Sequence, residues 1–155
     1  MSSHTRAIMG AVKTALAAIN GSGGYTYDLS ATDRVKIGRP SLTEGLSPCV
    51  WVALGQLDSD HGPQLGRYTR TLSIDLEGRV PLDGGNTTEE RELEAVDLLD
   101  DICAALEADR SLGGRVLDLI VQGTTVGAGS SANTQPARVL AQVVVYWHAN
   151  SAAGV

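Results

Sequence analysis

Residues 67–80 carry the cleanest periodicity in the chain. Tyr68, Leu72, Ile74, Leu76 and Val80 alternate with Arg67, Thr69, Thr71, Ser73, Asp75, Glu77 and Arg79. A period of two with one wet face predicts a long antiparallel strand lying on a core. Arg70 interrupts the apolar row near one end. A slip of one residue would turn that row to water, so the register is strongly fixed. Residues 49–57 are apolar on both faces, with Trp51, Ala53 and Leu57 on one and Val50, Val52 and Leu54 on the other. This predicts an internal strand covered on both sides. The two strands pair as a hairpin through a polar tip at 58–66.

Helical spacing appears twice. Over residues 3–20, Ile8, Val12, Ala15, Leu16 and Ile19 share one face, with Ser3 placed to cap and Gly21-Ser22-Gly23-Gly24 to stop the helix. Over 87–109, Thr87-Thr88-Glu89-Glu90 reads as a capping box, and Ala95, Leu98, Leu99, Ile102, Cys103 and Leu106 form the core stripe. A turn at 110–114 follows, in which Gly113 or Gly114 supplies positive φ, and then an apolar strand at 116–121. Short β-like pieces are expected at 25–29 and 35–37, loops at 38–48, 81–86 and 123–136, a last strand at 137–148 and a frayed tail at 150–155. The sum is an α+β fold: a mixed, mainly antiparallel sheet with a long hairpin, packed against two main helices in a single domain, 1–155.

The chain has no Phe, so its core is built from Val, Leu, Ile and Ala. Eighteen acids against twelve bases leave a net charge of −6, which argues against tight binding to duplex nucleic acid or anionic lipid. The longest apolar run, 139–147, is interrupted by Gln142 and is far short of a membrane span. The apolar stretch at 7–12 is too short for a secretory signal. Cys49 and Cys103 sit in apolar patterns and read as buried free thiols, with the cytoplasm the simplest compartment.

Candidate chemistry is sparse. The glycine cluster at 21–24 follows a helix, whereas a phosphate loop follows a strand and opens a helix. Asp58, Asp60 and His61 match no EF-hand or zinc spacing. His4, His61 and His148 are scattered, and no HxxxH, CxxC or HExxH occurs. A Cys49–His148 pair lies in an apolar strand context that raises a thiol pKa. Ser130 and Ser131 lack a nucleophile elbow. Asp100 and Asp101 are helix neighbours pointing in different directions. No catalytic residue, cofactor or metal site is therefore expected. Nine of the eighteen acids fall within 87–109, against one base, Arg91. A solvated face explains them most simply; an acidic surface serving a partner or a channel is the sharper reading.

Three features carry a family resemblance. One is the run Leu98-Leu99-Asp100-Asp101-Ile102-Cys103-Ala104-Ala105-Leu106-Glu107-Ala108-Asp109 followed by Ser111-Leu112-Gly113-Gly114-Arg115-Val116. The second is the hairpin at 50–76, whose return strand opens with Arg67-Tyr68-Thr69-Arg70. The third is the closing strand at 138–146 after a long polar loop. In these the chain resembles the tail terminator proteins of long-tailed bacteriophages, also called minor tail or tail completion proteins. The resemblance implies helices against a mixed sheet and a homo-oligomeric ring, a hexamer, that caps the tail tube, stops its polymerisation and forms the head-joining surface. It implies the tail tube protein and head–tail connector proteins as partners, and DNA that passes without specific binding. The implied location is the virion, at the neck end of the tail, and the host cytoplasm during assembly. Under this resemblance Arg67, Arg70, Asp83, Arg115 and Arg138 are candidates for a subunit or tube interface. Asp97, Asp100 and Asp101 are candidates for an acidic channel surface, where like charge keeps DNA from adhering. The alternatives are another head–tail neck or completion protein, and a small cytosolic ligand-binding α+β domain.

Overall fold

A computed structural model describes residues 3–40, 47–61, 67–81, 87–126 and 136–150. The elements run α1 (His4–Ala17), β1 (Val35–Ile37), β2 (Cys49–His61), β3 (Arg67–Val80), α2 (Thr88–Glu107), β4 (Asp118–Val126) and β5 (Ala137–Asn150). The five strands form one sheet in the order β1-β2-β3-β5-β4. Every pairing is antiparallel except β1 with β2. The fold is thus α+β, with two helices and a mostly antiparallel mixed sheet among the described residues.

The alternation in β3 sets the layers. Leu72, Ile74 and Leu76 are buried and pair across β5 with Val145, Val143 and Ala141. Ile8, Val12 and Leu16 of α1 and Ala95, Leu98, Ile102 and Leu106 of α2 complete this core. The glycines of the sheet let α2 lie close. A Cβ at Gly78 would stand 2.8 Å from a Leu98 methyl, and one at Gly123 would stand 2.5 Å from a Leu99 methyl.

Local chemistry fixes the helix ends. Ser3 caps α1 by accepting from the Arg6 amide at 3.1 Å. Thr87 and Glu90 form a reciprocal capping box on α2, with distances of 3.2 and 2.9 Å. After the C-cap at Ala108, Asp109 accepts from the amides of Ser111 and Gly113 and from the Ser111 hydroxyl. These bonds, the hydroxyl first, hold its carboxyl below the ordinary carboxylate range. Leu112, Gly113 and Gly114 then take φ of 49°, 69° and 79°. A leucine in the left-handed region costs roughly 1–2 kcal/mol; here its side chain is buried in the core, which offsets that strain. Arg110 grips Asp118 through two bonds of 2.7 and 2.9 Å, tying the turn to the start of β4.

Several boundaries differ from the sequence reading. Residues 25–29 form no strand, only an isolated bridge between Asn20 and Asp28. Their amides are satisfied by a side chain: Thr26 and Tyr27 donate to the carboxylate of Asp101. The residues 58–61 expected in the hairpin tip continue β2, because Asp58–Asp60 pair with Thr71–Thr69. A register shift at Gly55 also moves Leu57 onto the face of Val50, Val52 and Leu54, where it pairs with Leu72. Cover on both faces holds for 49–53 only; Leu54 and Leu57 are exposed. β4 begins at Asp118 and takes in 123–126, expected as loop, by pairing with 138–141. The core stripe of α2 includes Ala105 and Arg91, while Leu99 and Cys103 are only partly buried. Arg91 reaches the carbonyls of Val80 and Pro81 and the Glu94 carboxylate. Cys49 is buried. β5 runs on through Asn150, expected as the start of the frayed tail, because Ala149 and Asn150 pair with Tyr68 and Arg67; the rest of the tail, 151–155, lies outside the described residues.

Candidate functional site

Both helices pack on one face of the sheet, so the other face presents the wet row of β3. Strand pairing places Trp51 and Ala53 beside Glu77 and Asp75, and Arg138, Leu140 and Gln142 beyond them on β5. These residues, with Gly38 and Arg39 at one end and Gln122 and Thr124 at the other, line a trough of about 820 Å³.

Charge on this face is organised around Glu77. One oxygen accepts from Arg79 at 3.0 Å and the other from Arg138. The Arg79 and Glu77 side chains are only 9% and 12% exposed, so this network is held in geometry far better than an ordinary surface pair. Arg79 also lies over the Trp51 ring at 5.1 Å, and the Lys36 ammonium stands 6.0 Å from the same ring. Asp75 pairs with Arg39 at 3.3 Å. Among the described residues, four cations (Lys36, Arg39, Arg79, Arg138) meet two anions (Asp75, Glu77) here, a local surplus of two positive charges in a chain of net −6.

A second cavity of about 380 Å³ lies at the opposite end of β3, where Arg67 and Arg115 converge with His4, His148 and Trp147. His4 stacks at 5.1 Å on Trp147 and bonds the Arg115 carbonyl at 2.9 Å. The Trp147 indole N–H is buried with no hydrogen-bond partner among the described residues. The sequence gives no sign of this convergence, since the residues lie up to 144 positions apart (His4 to His148).

The predicted interface residues therefore separate. Arg67 and Arg115 share the end cavity, Arg138 belongs to the trough, Arg70 pairs with Trp147 in the β3–β5 ladder, and Asp83 lies outside the described residues. The acidic trio separates too. Asp97 and Asp100 are exposed on α2, whereas Asp101 is 4% exposed and holds the 26–27 backbone at 2.8–3.1 Å. Asp101 is thus a structural acceptor and is removed from any channel surface. It faces inward because its position falls on the buried stripe of α2, three residues after Leu98.

Cys49 and His148 do not meet. Cys49 pairs with Arg79 and His148 with Thr69, ten residues apart along β3, which is about 33 Å. The Cys103 thiol is pushed up by burial and by Glu107 and Asp100, away from reactivity. Among the described residues, no group of three or more His, Cys, Asp or Glu is placed to hold a metal ion. Among them, no helix is long and apolar enough to cross a membrane. No family model matches the chain, and no curated protein matches it.

Proposed function

We propose that this protein is a structural component of a phage virion, a tail-terminator ring that caps the tail tube, stops its growth and offers the surface to which the head joins. The observation that carries the reading is the segment 98–116. The resemblance rests on a helix ending near Asp109 and a Gly-Gly turn leading into a sheet strand. That segment folds as the end of α2, a turn through Gly113 and Gly114, and entry into β4. A sheet face on which neither α1 nor α2 packs, lined by Arg39, Arg79 and Arg138, supports it as well, because arginine is enriched in contacts between subunits.

The test is sedimentation or mass photometry of the purified protein with and without tail tubes. Rings bound at tube ends are expected; a monomer that never binds tubes overturns the reading. The trough volume favours one second reading, a small-ligand domain, since about 820 Å³ lies in the range of ligand pockets. A tightly bound small molecule in native mass spectrometry would favour that reading instead.

A further inference from the structure

We infer that the helix-free trough of one copy receives the outward stripe of α2 from the next copy. This rests on the ring reading and names its contact. The stripe is made by Glu89, Leu93, Val96, Asp97 and Asp100, which recur at helical spacing and are all exposed. Leu93 and Val96 are 55% and 38% exposed, two aliphatic side chains left in water amid acids. The trough offers the complement: an exposed aliphatic floor at Leu140, where Arg39, Arg79 and Arg138 outnumber Asp75 and Glu77 along the lining and Lys36 stands beyond Trp51. An acidic helix with a central apolar ridge thus matches a basic groove with an apolar floor, the helix-in-groove mode of recognition.

The geometry also sets the kind of assembly. α2 packs on one face of the sheet through its buried stripe, and the trough lies on the other face. Donor and acceptor surfaces are therefore on opposite sides of the molecule. Such a contact cannot be self-complementary about a two-fold axis. It is heterologous, and it propagates from copy to copy until rotation closes it into a ring. In this arrangement Asp97 and Asp100 face a neighbouring subunit and not the channel.

Charge reversal tests this directly. A trough variant carries Lys36→Glu and Arg39→Glu, and a helix variant carries Asp97→Lys and Asp100→Lys. The ion pairs of Glu77 are left intact, and circular dichroism checks that each variant folds. Arg39→Glu alone, at a side chain 67% exposed, serves if the double trough variant does not fold. Self-association is read by mass photometry, free and on tail tubes. Each variant alone should associate at least tenfold more weakly than the unmodified protein. An equimolar mixture should recover assembly in even-numbered, alternating rings, because every contact in them is again between opposite charges. If the unmodified protein forms rings and each variant forms them equally well, or if the mixture restores nothing, the contact is overturned while the ring reading stands. A protein that remains monomeric free and on tubes overturns both.

Discussion

Replacing Asp101 by Ala isolates the one buried acid of α2. Its carboxylate accepts from the amides of Thr26 and Tyr27, at 2.8–3.1 Å, and so anchors the segment between α1 and β1. A hydrogen bond to a charged group contributes about 1.5–3 kcal/mol, and an amide left without an acceptor costs about 1–3 kcal/mol when buried. Thr26 is exposed and its amide regains water, while Tyr27 is half-buried. A net loss of about 2 kcal/mol follows for Asp101→Ala. The gain in helix propensity, at most about 0.7 kcal/mol, opposes it. Asp100→Ala receives the same propensity gain at an exposed position and loses no such bonds, so it is the matched control. Urea unfolding at neutral pH reads the difference. With a slope of about 1–3 kcal/mol per molar for a chain of this size, Asp101→Ala should unfold about 1 M earlier than Asp100→Ala. Equal midpoints would refute the assignment of Asp101 as a structural anchor.

Two glycine substitutions should act in opposite directions in thermal melts. Gly78→Ala places a Cβ 2.8 Å from a Leu98 methyl and should lose about 1–3 kcal/mol, whereas Gly10→Ala, in α1 with nothing within 4 Å, should gain about 0.5–1 kcal/mol. A melt in which Gly78→Ala is as stable as Gly10→Ala would contradict the close seating of α2. At high pH the Tyr27 phenol, pushed up to about 12 by burial and then by Glu94, should release its proton later than the unfolded phenol near 10. The folded state holds the proton longer, so this contribution is whole below pH 10 and is lost as pH rises from 10 through 12. Tyr27→Phe should flatten that decline in chemical denaturation and remove the latest phenolate component from the ultraviolet titration. Cys103 should alkylate more slowly than a free model thiol at pH 8.5, since its thiol is pushed up by burial and by Glu107 and Asp100; a rate equal to the model thiol's would count against its partial burial.

The long hairpin and both helices were legible because each rests on a repeated local pattern. Leu72, Ile74 and Leu76 point to one face by alternation alone, and Thr87 with Glu90 caps α2 within four residues of chain. What stayed hidden depends on distant partners. Nothing near residues 25–29 says that their amides will bond a carboxylate 74 or 75 positions away in place of a neighbouring strand. Asp101 looked like Asp100 because charge is read from composition, while its burial is set by the rotation of α2 on the sheet. That rotation follows from the close approach at Gly78 and Gly123. The shift at Gly55 changes the face of Leu57, and it shows only in the pairing with Ser73 and Leu72. The trough was half legible. The polar row of β3 was plain, but the joining of Arg79 and Arg138 through Glu77 needs the β3–β5 pairing.

The central claim is that this protein ends a tube, and a polymerisation assay tests it most directly. Tail tube subunits assembling in solution are followed by light scattering while this protein is added in substoichiometric amounts, and tube lengths are then read by electron microscopy. The account predicts early arrest, shorter tubes as the ratio rises, and a ring of density at one tube end. Growth that continues unchanged to full length, with bare ends, would contradict it.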